Sequence, residues 1–357
     1  MHPSRTEAIR IDGSYGEGGG QILRTSLALS CVFKRPVELR GIRRTRRKPG
    51  LRPQHLTAVK AAAAISKARV EGAAMGSTSL LFRPAEVSGG EYSFDVSEKK
   101  GSAGSTSLVL QTILLPLSFA GSPSTVSVVG GTHVPWSPTF HYLKHVFLPL
   151  LARLGINVEL GIEKWGWYPA GGGKVTARIL PGRGPAPIRI MDRGELRRMS
   201  GISAVSNLPP DIAVRQKRRA TEAFNRRGIE LDMQIINAPS PGKGTLVFLC
   251  AENDNVVSGF DALGAIGKPA EDVADEACRS LFEHLATKAA LDPHLADQII
   301  PFLALCSGAS EFTTSRITRH LLTNIWVVEQ FADVAVEVEG KEGEEGLIRI
   351  VPGVPPF

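Results

Sequence analysis

Residues 11–24 read Ile11-Asp12-Gly13-Ser14-Tyr15-Gly16-Glu17-Gly18-Gly19-Gly20-Gln21-Ile22-Leu23-Arg24. The run at 8–12 that leads into this stretch predicts a short strand. Glycines between 13 and 20 predict a tight turn, because glycine alone adopts left-handed backbone without steric cost. Beyond the turn, Ile22, Leu23, Leu27 and Leu29 fall close to helical spacing and predict a helix over 21–31. Strand, glycine loop and helix together open an α/β unit.

Working outward, the pattern returns. A strand is expected at 37–42, then a helix opened by Pro53 with an Ala-rich body at 56–68. Strands are expected at 79–82 and 92–96, a small-residue loop at 101–105, a helix running to Leu117, a strand at 125–129 and a helix at 140–154. Near the end come helices at 295–306 and 321–331, then a hairpin of strands at 334–338 and 347–351. Pairs of helices thus alternate with groups of strands about three times, which predicts a structural repeat. The stretch 187–288 breaks the rhythm: strand 199–206, basic helix 212–227, strands 231–237, 245–251 and 256–262, helix 269–286. It follows the Gly/Pro-rich run 181–185 and has the length of a small domain. The expected organisation is a main body at 1–186, an inserted α/β domain at 187–288 and the rest of the body at 289–357.

The chain has 357 residues, 43% of them hydrophobic, enough for a sizeable core and roughly two domains by length. Its net charge of +7 favours anionic partners. Cys31, Cys250, Cys278 and Cys306 lie far apart, with neither zinc nor CxxC spacing, so a reduced, cytoplasmic protein is expected. The first twenty residues carry no signal-peptide core, and the longest apolar stretch, 107–120, is broken by Gln111 and Pro116, so no membrane association is expected.

Three familiar nucleotide signatures can be tested. No G-x-x-x-x-G-K-[ST] occurs, Gly171-Gly172-Gly173-Lys174 lacks the loop length and the hydroxyl, and residues 13–20 do not fit G-x-G-x-x-G. Residues 16–21 nevertheless open a helix, whose free N–H groups favour an anion. Glu17 in that loop has two readings: a Mg²⁺ or Mn²⁺ ligand beside a phosphate, or a carboxylate favoured by the helix N-terminus, which taken alone is the better account. Arg24, one turn on, can reach the same anion. Residues 40–52 hold seven basic side chains, Arg40, Arg43, Arg44, Arg46, Arg47, Lys48 and Arg52, and no aromatic one. Such runs are usually solvated, but Arg forks match phosphate oxygens, and the density here points to a phosphate-end site. His320, just before an apolar helix start, has the chemistry of a nucleophile towards phosphorus but is not selected among eight histidines by sequence alone.

Five motifs in order along the chain resemble those of the RNA 3′-terminal phosphate cyclase family. Residues 11–24 resemble its opening motif, and Lys48-Pro49-Gly50-Leu51-Arg52-Pro53-Gln54-His55-Leu56 its second. Gly166-Trp167-Tyr168-Pro169-Ala170-Gly171-Gly172-Gly173-Lys174-Val175 is similar to the family signature, with Trp165 where a basic residue is usual. Leu295-Ala296-Asp297-Gln298 and His320-Leu321-Leu322-Thr323-Asn324 resemble two more. The resemblance implies an α/β (α+β) body of three repeated units, each of helices on a four-stranded sheet, related to the enolpyruvyl transferase fold. It also implies a smaller inserted α/β domain similar to the C-terminal domain of bacterial translation initiation factor 3.

By the same resemblance the nucleophile is His320 and the metal ligand Glu17. Contacts to ATP phosphates and the RNA end fall on Arg24, Arg43, Arg46, Gln54, His55 and Gln111. Adenosine contacts fall on Pro138, Asp297 and Gln298, with His294 where the family often stacks a tyrosine. The implied reaction is ATP-dependent conversion of an RNA 3′-phosphate into a 2′,3′-cyclic phosphate through a covalent histidine–AMP and an RNA-phosphate–AMP anhydride, with Mg²⁺ or Mn²⁺. A cyclase-like RNA-binding protein of ribosome assembly without catalysis is the alternative, and an enolpyruvyl transferase or a plain RNA-binding module is a more distant one. For the basic residues Arg215, Lys217, Arg218 and Arg219 there are two readings, a face that guides RNA or a solvated helix face, and the second is the better account. Oligomeric state is not legible.

Overall fold

The computed structural model describes residues 7–96 and 103–353, so the first two residues of the loop expected at 101–105 lie outside the described residues. The first unit runs β1 (Ile9–Asp12), α1 (Gly20–Phe33), β2 (Val37–Arg40), α2 (Pro53–Ser66), β3 (Arg69–Glu71) and β4 (Ser79–Arg83). The second runs β5 (Glu91–Asp95), α3 (Thr106–Leu117), β6 (Ser124–Gly130), the helical turn α4 (Phe140–Tyr142), a wider π-helical turn (Leu143–Phe147), α5 (Leu148–Arg153), β7 (Asn157–Lys164) and β8 (Gly173–Leu180). Then come β9 (Arg189–Ile190), β10 (Leu196–Ser206), α6 (Asp211–Asn225), β11 (Asp232–Asn237), β12 (Gly244–Asn253), β13 (Val257–Leu263) and α7 (Ala270–Ala286). The chain closes with α8 (Pro293–Leu303), β14 (Ser310–Thr314), α9 (Arg319–Phe331), β15 (Val334–Glu339) and β16 (Gly346–Pro352).

These strands form four four-stranded sheets, in the orders β1-β2-β4-β3, β5-β6-β8-β7, β9-β14-β16-β15 and β11-β10-β12-β13. In each of the first three, one parallel pair is followed by two antiparallel pairs. In the first two sheets the parallel pair arises because a helix carries the chain back across the sheet before the next strand; in the third, the whole stretch from β10 to α8 lies between β9 and β14. Helix-bearing faces are apolar: Ile22, Leu23, Leu27 and Leu29 of α1 and Ile299, Ile300 and Leu303 of α8 are all buried in one continuous core. A separate core lies between the fourth sheet and α6 and α7, built on Met199, Phe224, Leu249, Phe260, Val273 and Leu281.

The helices α2, α8 and α9 begin where their caps dictate. Pro293 follows Asp292, whose carboxylate accepts from the N–H groups of His294 (2.9 Å) and Leu295 (3.0 Å). Thr318 Oγ1 accepts from Leu321 N–H at the start of α9. At α2 the backbone N–H of Arg52 donates to His55 Nδ1 at 3.1 Å. The helix expected at 295–306 therefore starts two residues early, at Pro293, and the one expected at 140–154 is interrupted by the wider turn. Among the described residues no helix is long and apolar enough to cross a membrane.

Three helices distant in sequence are tied by one buried amide. Thr25 Oγ1 of α1 donates to Asn324 Oδ1 (2.7 Å), and Asn324 Nδ2 of α9 donates to the carbonyl of Asp297 on α8 (2.7 Å). All three residues are buried. Asn324→Ala leaves a buried hydroxyl and a buried carbonyl without their partners, at about 1–3 kcal/mol for each such group. We expect a loss of about 2–6 kcal/mol on that basis, read as a lowered urea midpoint, with Asn324→Asp also destabilised because the carboxylate has no donor for Asp297.

Candidate active site

The glycine loop and four helix N-termini meet at one cleft of about 660 Å³. Its wall includes Glu17, Gly19, Gly20 and Gln21 from the start of α1, Gln54 and His55 from the start of α2, His294, Asp297 and Gln298 from α8, and His320 from α9. Gln111 of α3, Pro138 and the guanidinium-bearing Arg24, Arg43 and Arg46 complete the set, so all twelve residues singled out in the sequence line the same space. Orphan N–H groups at helix starts and three arginines make it an anion site without any P-loop.

Gly20 explains why the loop must be glycine-rich. A Cβ there would lie 2.4 Å from His55 Nε2 and 2.8 Å from an Arg24 nitrogen. Gly16 and Gly18 hold φ of +54° and +60°, which lets the loop turn back under the helix.

His320 occupies the first turn of α9, and its Nδ1 lies 2.8 Å from Gln21 Oε1. An amide oxygen only accepts, so Nδ1 carries the proton and Nε2 keeps its lone pair towards the cleft. Nε2 stands 3.8 Å from a Glu17 oxygen. Burial, with Arg24, His294 and Arg46 nearby, pushes the imidazole down to about 4, so the ring is neutral at pH 7. His55 is held well below its ordinary value by burial and by Arg24, Arg43 and Arg52. Because its Nδ1 accepts from Arg52, its Nε2 is a neutral N–H donor beside Gly20 and Arg24.

Arg24 is half-buried, and loss of water around its guanidinium lowers it to about 10, with Asp297 opposing the shift; it remains cationic at pH 7. Asp297 is raised well above the carboxylate range by burial and by Asp292, with Arg24 opposing. Arg46 forms an ion pair with Glu17 and donates to the Glu17 carbonyl at 3.1 Å. Arg43 spends one nitrogen on the carbonyls of Lys48 and Gly50 (2.9 Å each), which fixes its own loop. Of the seven basic residues at 40–52, only Arg43 and Arg46 line the cleft, and Arg40 pairs instead with Glu38. Gln111 Nε2 donates to Gln298 Oε1 across the floor.

Glu17 Oε2 is buried and has no hydrogen-bond partner. Among the described residues no cluster of three or more His, Cys, Asp and Glu could hold a metal ion. Glu17 lines the cleft, and a carboxylate oxygen without a hydrogen bond is the kind of ligand that Mg²⁺ takes, with one or two carboxylates and the rest of its shell filled by phosphate oxygens and water.

Several wall residues carried no sequence signal of a site. Gln21 lies within the opening motif but carried no role of its own there; it is a polar residue on the buried face of α1. Asp261, which accepts from Thr139 Oγ1 at 2.7 Å, is pushed up to about 6 by burial; it, Phe260 and Ser280 enter from β13 and α7. Tyr142, also in the wall, donates to Asp292 Oδ1 at 2.9 Å. Trp165 is buried and stacks on His133 with ring centroids 4.1 Å apart, so it belongs to the core. Arg215 and Arg219 are forked onto Glu271 and Asp275 of α7 and so are neutralised within the protein.

The site thus defines an α/β protein with an anion-binding cleft that holds a neutral, oriented imidazole. A profile of the RNA 3′-terminal phosphate cyclase family matches residues 15–338. The RNA 3′-terminal phosphate cyclase of Methylococcus capsulatus is 47% identical over 348 residues, covering 96% of each chain. That of Pyrobaculum aerophilum is 43% identical over 339 residues, covering 94% of this chain and 96% of its own. Among solved structures, the enolpyruvyl transferase NikO from Streptomyces tendae aligns with a TM-score of 0.36 and 10% identity, over 98% of this chain and 49% of that one, so this chain spans about half its length. The chain belongs to the RNA 3′-terminal phosphate cyclase family, a family of enzymes.

In ¹⁵N NMR at pH 7, the His320 ring should carry its proton on Nδ1. Its titration midpoint should lie near 4. Arg24→Met should move that midpoint upward, because the guanidinium is the largest charge acting against protonation after burial.

Proposed function

We propose that the protein uses ATP to convert an RNA 3′-phosphate end into a 2′,3′-cyclic phosphate. The observation that carries the reading is His320: Nδ1 is engaged by Gln21, Nε2 is free, and the ring is neutral at physiological pH. Nε2 would attack the α-phosphorus of ATP, forming an N–P bond as the bond to pyrophosphate breaks. An oxygen of the RNA 3′-phosphate would then displace histidine from that phosphorus, giving an RNA-phosphate–AMP anhydride. Finally the ribose O2′ would attack the RNA phosphorus, lose its proton and expel AMP. That last step is intramolecular, so holding the end still supplies much of its acceleration.

Arg24, Arg43 and Arg46, with the neutral donor of His55 and the amide of Gln54, would hold the phosphates. Pro138, His294, Asp297, Gln298 and Gln111 would surround the adenosine. A divalent cation on the free oxygen of Glu17 would offset negative charge on the phosphates. Phosphate contacts position an end without reading its sequence, and the 2′-OH distinguishes RNA from DNA.

We also read the first three sheets, with their shared strand order, as copies of one unit, within a body at 1–186 and 289–357. The fourth sheet, with its separate core, would be the insertion at 187–288. The four free, buried thiols suit a reducing compartment, and we assign the protein to the cytoplasm.

Incubation with Mg²⁺ and α-³²P-labelled ATP should leave acid-labile label on the protein, and His320→Asn should reduce it to below roughly a thousandth. Labelling should stay flat from pH 7 to 5 and fall as the ring protonates near 4. Well-folded protein that takes no label would sink the mechanism. An RNA 3′-phosphate whose terminal ribose lacks the 2′-OH should stall as the AMP anhydride; its conversion to product would exclude O2′ as the final nucleophile.

A further inference from the structure

Trp136 sits on the rim of the cleft, two residues before Pro138, with 98% of its surface exposed. Its φ is +58°, the left-handed region that side chains with a Cβ avoid. A large apolar ring in water gains nothing for the fold, and the backbone beneath it is strained. Both costs are held in place by a rigid base. Phe140 N–H donates to the Thr132 carbonyl (3.0 Å) and closes the loop, while the N–H groups of Thr132 and His133 both donate to the Gly166 carbonyl. Ser137 Oγ donates to the Val134 carbonyl at 3.0 Å. Val134 and Thr139 on either side are buried. The indole therefore projects from a fixed stalk.

The other exposed aromatic near the glycine loop, Tyr15, is already covered: it stacks on Trp326 with centroids 4.0 Å apart. Trp136 has no ring partner recorded among the described residues and presents both faces.

We propose that Trp136 is a stacking platform for the 3′-terminal base of the RNA strand. ATP is a small ligand that ends inside the cleft, whereas a polymer must leave through its mouth. A ring at the rim thus meets the strand. Stacking is also indifferent to base identity, which suits a site that recognises an end and not a sequence. The inference rests on the reading that this cleft takes an RNA end.

The test is fluorescence anisotropy of a labelled single-stranded oligoribonucleotide with a 3′-phosphate, without ATP, against wild type, Trp136→Ala and Trp136→Phe. Circular dichroism of each variant checks the fold. Removing a base-stacking aromatic weakens binding roughly 5- to 100-fold, so Trp136→Ala should fall in that range and Trp136→Phe should recover most of the affinity. An oligonucleotide abasic at its last position should bind wild type and Trp136→Ala alike. Equal affinity of wild type and Trp136→Ala for the intact strand would overturn the assignment while leaving the proposed function standing. A loss confined to ATP affinity would also overturn it and make Trp136 a contact of the nucleotide. Failure of the wild type to bind the strand at all would remove both this inference and the RNA reading beneath it.

Discussion

The cleft depends on the buried amide of Asn324. It accepts from Thr25 on α1 and donates to the backbone of α8, so it fixes the relative rotation of three helices whose first turns form the walls. A hydrogen bond of this kind adds modest net stability, but the penalty for misplacing it is large because neither partner can turn to water. That asymmetry is what specifies register. With α9 set, His320 meets Gln21; with α8 set, Asp297 meets Arg24.

Electrostatics then follow from placement. Helix N-termini and arginines gather positive potential in a space whose three carboxylates are Glu17, already paired with Arg46, and Asp261 and Asp297, both raised by burial towards their neutral forms. Burial first, and then the same positive potential that favours phosphate, keep His320 and His55 unprotonated. The positive field that would draw in a triphosphate thus also preserves the lone pair of the proposed nucleophile. Glu17 is partly neutralised by Arg46, so one oxygen is paired and the other free.

Much of this was legible in the sequence, for reasons that differ by residue. The strand–loop–helix opening was readable because glycine punctuation and helical periodicity agree there. The site residues were reached through motif resemblance; periodicity alone would not have separated His320 from buried histidines such as His133. Several strands were missed, among them the eight-residue β7, none of whose residues is buried, and β8. β3 has three residues with none buried, and β9 has two, so neither carries a pattern. β14, Ser310–Thr314, is polar in composition yet alternately buried, which conceals it from a hydrophobicity reading. Gln21, Asp261 and Tyr142 were invisible as site residues because each acts through a contact made across a large sequence separation.

The bond between Gln21 and His320 spans 299 residues. During synthesis the arginine loop and the first glycine turn are complete long before α9 exists. A chain arrested anywhere before α9 holds the anion-attracting half of the cleft without the imidazole of His320. On the proposed mechanism, a ribosome stalled before it reaches His320 releases an inert product, and partial degradation from the C-terminal side silences the protein before it dismantles the first two sheets.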